Sequence, residues 1–387
     1  MNLRVLALGA SVFTTTAALA DVLPDPLDLP PPKPLSAPAV DTGYKVTEVA
    51  KGLDHPYSLA FLPDGSILVT ERAGRLRIIK NGQLQPQPIP GVPPVHLGSQ
   101  AGLFDVVLHP KFAENNLLYL TYAAGTKAAN GTHVARARFD GTALQDVKVI
   151  FQAKPDKDTN NHYGGRLAFL GDGTLALTIG DGFEYREQAQ DMNSDLGKIV
   201  RLNDDGSVPQ DNPFMGAIGV TNYEVFSLGH RNQQGLAYDP VSSRLYETEH
   251  GAFGGDELNI IDSGRNYGWP VITYGLDYTG AYVSPFKDFQ GMMQSVTQWT
   301  PSIAPSGLAI YRGDKFPAWN GDALVGALAH KHLRRVDLDD QGRAIGEQRL
   351  LTKLDKRIRD VRVSPDGYVY VTTDEETGSV LKIEPAP

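Results

Sequence analysis

Residues 59–71 read LAFLPDGSILVTE, which is an apolar strand, a Pro-Asp-Gly turn and a second apolar strand. The turn residues supply the backbone dihedral angles that a tight β-hairpin needs. The pattern recurs as LAFLGDGTLALT at 167–178 and as VRVSPDGYVYVT at 361–372. Three less regular copies, with the same order of strand, turn and strand, lie at 105–122, 235–249 and 307–327.

Six copies of one unit indicate a repeat architecture. Each unit is long enough for a small antiparallel sheet, which cannot bury both faces alone, so neighbouring units must stack and a closed ring hides their edges. We therefore predict an all-β fold, a six-bladed β-propeller with four-stranded antiparallel blades, over residues 44–387. A β-sandwich or several small β domains are the alternatives, but no linker-like stretch interrupts residues 44–385.

The composition excludes several classes of function. The chain has 387 residues, of which 41% are hydrophobic and 21% charged, as in ordinary soluble proteins. It has no cysteine, which rules out thiolate metal sites, iron–sulfur clusters and a cysteine nucleophile. The net charge of −9 argues against a general surface for nucleic acid or anionic membranes.

The N-terminal segment predicts export. In residues 1–20, Arg4 precedes a short apolar stretch that ends in Ala18-Leu19-Ala20, which is typical of a cleaved signal peptide. The proline-rich residues 21–43 predict an extended tether. No later run is long and apolar enough to span a bilayer, so we expect a periplasmic protein, as a monomer or homodimer.

Two polar clusters precede the strands of the third and fourth repeats. Residues 160–166 read NNHYGGR, and His162 is a candidate general base because imidazole titrates near neutral pH. Residues 229–235 read GHRNQQG, where Arg231 and Asn232 could bind carboxylates. The alternatives are a hydrogen-bonded loop histidine and a solvated polar loop.

Two further clusters suggest ion binding. Residues 249–259 read EHGAFGGDELN and combine carboxylates with glycine-rich turns, whose oxygen atoms suit a hard cation such as Ca²⁺. In residues 355–360, DKRIRD, Arg357 and Arg359 point the same way on an extended chain and could bind a polyanion. The alternatives are a polar turn and a pair of surface ion pairs.

Taken together, seven motifs in this order resemble one family. They are GSQAGLFDV at 98–106, NHYGGRL at 161–167, GHRN at 229–232, GGDELN at 254–259, NYGWP at 266–270, APSG at 304–307 and RIRDV at 357–361. The chain is similar over residues 45–385 to the aldose sugar dehydrogenases that depend on pyrroloquinoline quinone (PQQ), relatives of soluble glucose dehydrogenase.

The resemblance implies a six-bladed propeller that oxidises the C1 hydroxyl of aldoses to lactones, with PQQ and Ca²⁺ as cofactors. It implies that His162 is the general base. It also implies a set of cofactor-binding residues, namely Gln100, Arg231, Asn232, Arg357 and Arg359, with Tyr278 packing on the cofactor. The backbone carbonyls of Gly251 and Ala252 would bind the Ca²⁺ that touches PQQ, and Glu257 with the Tyr267 carbonyl a second, structural Ca²⁺.

Three positions depart from the family pattern. Ala252 replaces the proline of the family's His-Gly-Pro turn. Ala329 stands about where glucose-specific members have a lysine on PQQ, and Asn161 replaces an aspartate. Because the histidine and all three arginines are present, we still expect activity.

Two other functions fit a six-bladed propeller. A Ca²⁺-dependent lactone hydrolase would use metal-bound water and would not need Arg231, Arg357 or Arg359. A non-catalytic binding propeller would not need His162. For the dehydrogenase, we expect aldose mono- or disaccharide substrates and no nucleic-acid partner, and the sequence names neither the preferred sugar nor the electron acceptor.

Overall fold

A computed structural model describes residues 31–386, and the predicted signal peptide at 1–20, together with the first part of the tether, lies outside them. The described chain forms six sheets, each of four antiparallel strands, arranged around a central channel. The predicted six-bladed β-propeller is therefore confirmed. The boundaries of the signal peptide and of the tether remain predictions.

The strands follow the chain around the ring. The first strand, β1, is Tyr44–Leu53 and joins the last blade. Blade 1 contains β2 (Pro56–Phe61), β3 (Ile67–Glu71), β4 (Arg75–Lys80) and β5 (Gln83–Leu84). Blade 2 contains β6 (Leu103–Leu108), β7 (Leu117–Thr126), β8 (Ala129–Phe139) and β9 (Leu144–Gln152). Blade 3 contains β10 (Leu167–Phe169), β11 (Leu175–Ile179), β12 (Lys198–Leu202) and β13 (Val225–Leu228).

The second half of the ring has the same plan. Blade 4 contains β14 (Gln233–Asp239), β15 (Arg244–Glu249), β16 (Asp256–Ile261) and β17 (Thr297–Trp299). Blade 5 contains β18 (Pro305–Ile310), β19 (Ala323–Ala327), β20 (His332–Leu338) and β21 (Ala344–Leu350). Blade 6 contains β22 (Ile358–Val363), β23 (Val369–Thr373) and β24 (Gly378–Pro385), with β1 as its outer strand.

Helices are short connectors in the described chain. One α-helix, α1, is Phe112–Asn115. Three 3₁₀ helices are Arg186–Gln190, Pro317–Trp319 and Thr352–Leu354. None is long and apolar enough to cross a membrane, as far as the described residues go.

The ring is closed by the N-terminal strand. β1 pairs antiparallel with β24, so that Tyr44 lies opposite Pro385 and Leu53 opposite Gly378. The innermost strands β22 and β2 also contact each other. Because the first and last parts of the chain share one sheet, blade 6 has no free outer edge at β24.

The apolar core lies between neighbouring blades. Leu68 of β3 and Leu118 of β7 are fully buried in one cluster, although they belong to different blades. All five residues of β11 are buried, because its sheet is covered on both faces. This explains why its residues are apolar except for Thr178 and do not alternate with polar ones.

A buried network of charges joins the inner strands around the channel. Asp105 accepts a hydrogen bond from Arg362 at 2.7 Å, and Asp360 accepts one from Arg166 at 2.9 Å. These residues come from blades 2, 3 and 6, and each carboxylate is matched by a guanidinium. A Cβ at Gly307 would clash with Asp360, so the close approach of blade 5 to this network requires glycine.

Part of the predicted tether contacts the propeller. The backbone of residues 37–41 runs beside β21, where the Arg349 N–H donates to the Pro38 carbonyl at 2.9 Å and the Val40 N–H to the Arg349 carbonyl at 2.8 Å. Asp41 accepts a hydrogen bond from the Thr352 N–H at 3.0 Å. These bonds anchor the segment just before β1 begins.

Candidate active site at the channel mouth

All six blades contribute to one cavity at an end of the central channel. Its volume is about 210 Å³, and each innermost strand supplies residues from the end where that strand begins. The lining includes Tyr57, Phe104, Gly164, Asn232, Gln234, Ala304, Arg357 and Arg359, together with Gln100, His250 and Asp374. The structure therefore brings together four of the predicted cofactor-binding residues, which are Gln100, Asn232, Arg357 and Arg359.

A second cavity, of about 360 Å³, lies beside the first. It is lined by Phe183, Glu184, Arg186, Glu187, Arg231, Ala252, Trp269, Asp277, Tyr278 and Val283. Arg231 lines this cavity, and the next residue in the chain, Asn232, lines the first. The predicted residues Tyr278 and Ala252 belong to this outer cavity.

His162 lies in the loop before β10, with its backbone in the left-handed region at φ 50°. This conformation is unusual for a residue other than glycine and is held by the surrounding structure. The His162 N–H donates to the Gln100 side-chain oxygen at 2.9 Å, which ties the loop to a second predicted residue. The Phe183 ring contacts the imidazole edge-on, with 5.0 Å between the ring centroids.

The imidazole of His162 is paired with Asp181. The Nδ1 atom lies 2.7 Å from Asp181 Oδ1, and both side chains are buried. Burial opposes ionisation of Asp181, but His162 and Arg231 outweigh it and lower the pKa of this carboxyl. An ionised carboxylate only accepts hydrogen bonds, so Nδ1 carries the proton and Nε2 is left as a base.

The electrostatic environment keeps His162 neutral. Burial lowers its pKa below the ordinary value of 6.5, and the charge of Arg231 acts in the same direction. Asp181 opposes both effects. A neutral imidazole with a free Nε2 can accept a proton, which is the property required of a general base.

Asp181 is itself oriented by Trp269. The indole Nε1–H donates to Asp181 Oδ2 at 2.8 Å, and the Phe183 N–H donates to Oδ1 at 2.8 Å. Neither Asp181 nor Trp269 was identified as a site residue from the sequence. Asp181 follows β11 in an ordinary Gly-Asp-Gly sequence, and Trp269 belongs to the Asn-Tyr-Gly-Trp-Pro motif without a predicted role.

Arg357 and Arg359 converge on Asp374, a residue that the sequence analysis missed. Arg359 donates to Asp374 Oδ2 at 2.7 Å and Arg357 to the same oxygen at 3.2 Å. Burial opposes ionisation of Asp374, but the two guanidinium groups hold its pKa well below the usual range. Asp374 thus orients both arginines towards the cavity that all three residues line.

Arg231 is buried at the outer cavity. Its guanidinium lies 5.2 Å from the Trp269 ring centroid and donates to the backbone carbonyl of His250 at 3.2 Å. It also donates to the carbonyl of Gly251, a predicted calcium ligand. Tyr278 is 60% exposed, and its hydroxyl lies 3.4 Å from Arg231 Nη2.

The site fits a small ligand that carries several carboxylates. Arg357 and Arg359 line the inner cavity and Arg231 lines the outer one, in a chain whose net charge is −9. The buried Nε–H groups of Arg231 and Arg359 meet no acceptor within residues 31–386. An unsatisfied buried donor costs about 1–3 kcal/mol, which acceptor oxygens of an anionic ligand would offset. PQQ, with three carboxylates, has the matching chemistry.

The turn that follows β15 can present backbone oxygens to a cation. A side chain at Gly251 would clash with the carbonyls of Gly254 and Gly255, so only glycine fits this tight turn. The neighbouring residue Ala252 packs beside Trp269. In the structure the Gly251 carbonyl accepts a hydrogen bond from Arg231, so a cation there would compete with that guanidinium.

Glu257 and Tyr267 also lie together. They line a cavity of about 10 Å³, together with Glu249, and this volume suits a single small ion or water. Burial and the charge of Glu249 raise the pKa of Glu257 to about 8. Within the described chain, the charges that act on Glu257 are those of Glu249 and Asp256 and not of a lysine or arginine, which fits a divalent cation as its partner.

The acidic environment of Glu257 extends along the sheet. Glu249 and Glu257 are directly paired across β15 and β16, as are Glu247 and Asn259. Ligand atoms of His230, Glu247 and Glu249 lie within 4.8 Å of one another. Burial and the charge of Glu249 raise the pKa of Glu247 well above its ordinary value.

The chain is similar in sequence and in fold to known sugar dehydrogenases. The family model "Glucose / Sorbosone dehydrogenase" matches residues 53–382. The aldose sugar dehydrogenase YliI of Escherichia coli is 43% identical over 340 residues, which cover 86% of this chain and 91% of the relative. Two solved structures extend the similarity.

The crystal structure of the soluble aldose sugar dehydrogenase from Escherichia coli in its apo-form matches with a TM-score of 0.84 and 41% identity, over 89% of this chain and 100% of the other. The PQQ-bound form of the aldose sugar dehydrogenase from Streptomyces coelicolor matches with a TM-score of 0.72 and 28% identity, over 90% of this chain and 100% of the other.

Proposed function

Because the chain belongs to the glucose/sorbosone dehydrogenase family, we propose that it is a PQQ- and Ca²⁺-dependent enzyme that oxidises the C1 hydroxyl of aldose sugars to lactones. That it is a sugar dehydrogenase follows from its relatives at 41–43% identity and their matching fold. The cofactors, the residue roles and the location in the periplasm belong to the proposal. The observation that carries it is that Gln100, Arg357 and Arg359 line one cavity, while the buried His162–Asp181 pair is hydrogen-bonded to Gln100 and Arg231 lines the outer cavity.

In the proposed mechanism, His162 removes the proton of the C1 hydroxyl through Nε2. Asp181 holds the Nδ1–H and stabilises the imidazolium that forms when Nε2 takes up this proton. The hydrogen on C1 leaves with its electron pair, so that the carbon becomes a carbonyl and the sugar ring a lactone. When bound, PQQ supplies the acceptor for this hydride, and Ca²⁺ supplies a Lewis acid that polarises it.

The chain's own residues would bind and orient the cofactors. Arg231, Arg357 and Arg359 suit the carboxylates of PQQ, since a guanidinium matches a carboxylate with two parallel hydrogen bonds. Gln100 and Asn232 would add amide hydrogen bonds, and Tyr278 would cover the cofactor from the outer cavity. The carbonyls of Gly251 and Ala252 would bind one Ca²⁺, and Glu257 with the Tyr267 carbonyl the other.

The location follows from the N-terminal sequence. We propose export through cleavage after Ala20, with residues 21–43 as the segment that precedes the propeller. N-terminal sequencing of protein recovered from the periplasm tests this directly. A mature protein that still begins at Met1 would contradict export by cleavage.

The decisive experiment measures dye-linked oxidation of glucose and other aldoses by the purified protein. PQQ and Ca²⁺ are added separately and together, and we expect activity only with both. His162→Ala should abolish oxidation while the variant still binds PQQ. Hydrolysis of lactones with Ca²⁺ alone would support the hydrolase instead, and oxidation at the parent rate by His162→Ala would exclude the proposed base.

A further inference from the structure

A third cavity lies next to the outer one and takes no part in the proposed chemistry. Its volume is about 600 Å³, and it is bordered by the turn at 253–254 and by the long connection between β16 and β17. Phe253, Tyr274, Leu276 and Tyr282 form its apolar surface. We call this cavity the aromatic cleft.

The aromatic cleft and the outer cavity share one thin wall. Phe253 pairs with Leu276, and Leu276 pairs with Tyr282, both in antiparallel bridges. These three side chains line the cleft, whereas the adjacent residues Ala252, Asp277 and Val283 line the outer cavity beside Arg231. Successive side chains of an extended segment point to opposite faces, so a single layer of backbone separates the two cavities.

The hairpin at 277–281 forms the rim of this wall. The Asp277 N–H donates to the Ala281 carbonyl at 2.8 Å, which closes the turn. Tyr278, on one side of the hairpin, is 60% exposed and lines the outer cavity. Tyr282, on the other side, is 81% exposed and lines the cleft. A ligand that crosses the rim would therefore meet an aromatic ring on each side.

The cleft exposes aromatic faces and free donors. Phe253 is 66% exposed. The Tyr282 hydroxyl and the Lys287 ammonium have no hydrogen-bond acceptor in the part of the chain described, although the ammonium lies 5.8 Å from the Tyr274 ring centroid. An apolar surface with a few polar groups at its edge suits a ligand that is apolar on its faces and polar around its perimeter.

We propose that the aromatic cleft binds a distal glucosyl unit of an oligosaccharide whose reducing end occupies the channel mouth. The C–H face of a pyranose ring is apolar and its hydroxyls lie around the edge, which matches this surface. The proposal rests on the proposed function, because the reducing end is the unit that is oxidised. It deepens that function by assigning a second sugar-binding site outside the cofactor cavity.

The size and shape of the cleft favour a glycan over a docked redox protein. A concave volume of about 300–1,000 Å³ is typical of small-ligand sites. A docking protein would instead need a broad surface of several hundred Å² on each partner. The cleft and the outer cavity also lie on the two sides of one hairpin, so an oligosaccharide could reach from one to the other by crossing its exposed rim.

The test compares maltotriose with glucose on the full-length protein. Isothermal titration without PQQ measures sugar binding apart from turnover, and steady-state kinetics with PQQ and Ca²⁺ give KM for each sugar. Tyr282→Ala should raise the Kd and the KM for maltotriose about tenfold, the loss expected for one stacked aromatic ring, with the constants for glucose within twofold. Phe289→Ala is the matched control, since Phe289 is an exposed aromatic residue outside the cleft lining.

Each result supports or overturns the proposal. Phe253→Ala, a second cleft variant, should weaken maltotriose binding in the same way. Equal effects of Tyr282→Ala on glucose and maltotriose, or no effect on either, would overturn it. Unchanged maltotriose binding with slower reduction of a protein electron acceptor would assign the cleft to a redox partner. Maltotriose binding that depends on Tyr282, without any sugar oxidation, would retain the site and reject the proposed function.

Discussion

The Nδ1 atom of His162 lies 2.7 Å from Asp181 Oδ1, and this buried pair is oriented from its far side by the indole of Trp269. The relationship fixes which nitrogen of the imidazole is available. With the proton held on Nδ1, Nε2 is the only ring atom that can take a proton from a substrate. His162 thus acquires the tautomer of a general base from a residue at the other end of the β10–β11 hairpin that it precedes.

Asp181→Asn should slow the oxidation by about a hundredfold or more, because the amide no longer enforces the correct tautomer. It should also shift the pH profile. Asp181 raises the pKa of His162 against the effect of burial, so its neutralisation lowers that pKa further. A base is active above its pKa, and the acidic limb of kcat/KM should therefore move to lower pH.

The pH dependence of kcat/KM for both proteins, measured with glucose, checks this prediction. Asp158→Asn is a matched control on a less buried aspartate that bonds the Tyr185 hydroxyl. An acidic limb that stays in place or moves to higher pH in Asp181→Asn would contradict the assigned roles.

The propeller could be predicted from local patterns, but its closure could not. A Pro-Asp-Gly turn between two apolar strands specifies a hairpin within a dozen residues, so blades 1, 3 and 6 were recognisable. The pairing of β1 with β24 joins residues such as Thr47 and Glu384, which are 337 positions apart and hydrogen-bond at 3.0 Å. No local pattern specifies so distant a partner.

The residues of the candidate site could likewise be predicted only in part from the sequence. His162, Arg231 and Arg359 stand in polar motifs whose chemistry can be predicted from residue type. Asp181 and Asp374 could not be predicted in this way, because their roles depend on a histidine or an arginine from another segment that lies beside them only in the folded chain. The aromatic cleft depends on bridges between three separate segments, which the sequence does not reveal.

Glu257→Gln should remove most of the stabilisation of the protein by Ca²⁺. In the absence of metal, the pKa of Glu257 is about 8, so the folded protein holds a proton there that the unfolded chain releases near pH 4.5. The metal-free protein should therefore become less stable as the pH rises from 4.5 to 8. Ca²⁺ at a hundred times its Kd would restore about 2.7 kcal/mol.

Thermal unfolding at pH 8, with Ca²⁺ and with chelator, measures this difference. Glu114→Gln, an exposed glutamate on α1, should keep the full calcium response. Equilibrium dialysis should find one Ca²⁺ fewer per chain in Glu257→Gln. An unchanged Ca²⁺ content would exclude Glu257 as a ligand.

Arg359→Lys should weaken PQQ binding by about tenfold to a hundredfold, the cost of one or more charge-assisted hydrogen bonds. Arg359 is buried between Asp374 and Gln234 and uses separate guanidinium nitrogens for the two. A lysine keeps the charge but cannot reproduce this planar fork. Titration with PQQ measures the Kd, and the exposed Arg138 provides a matched arginine-to-lysine control. Equal affinities in the two variants would place the cofactor elsewhere.

Ca²⁺ should change the environment of Trp269. Arg231 donates to the Gly251 carbonyl and lies 5.2 Å from the Trp269 ring centroid, so one guanidinium contacts both a proposed metal ligand and an indole.

A cation that binds the Gly251 carbonyl competes with Arg231 for the same oxygen and repels its charge, so the guanidinium should move relative to the ring. We expect a saturable change in tryptophan emission on adding Ca²⁺. The Ca²⁺ concentration at half of this change should equal the concentration that gives half of the Ca²⁺-supported activity. Trp269→Phe should lose it, whereas Trp319→Phe, which alters a ring in blade 5, should keep it. An emission change that survives in Trp269→Phe would mean that Ca²⁺ acts elsewhere and that Arg231 keeps its bond to Gly251.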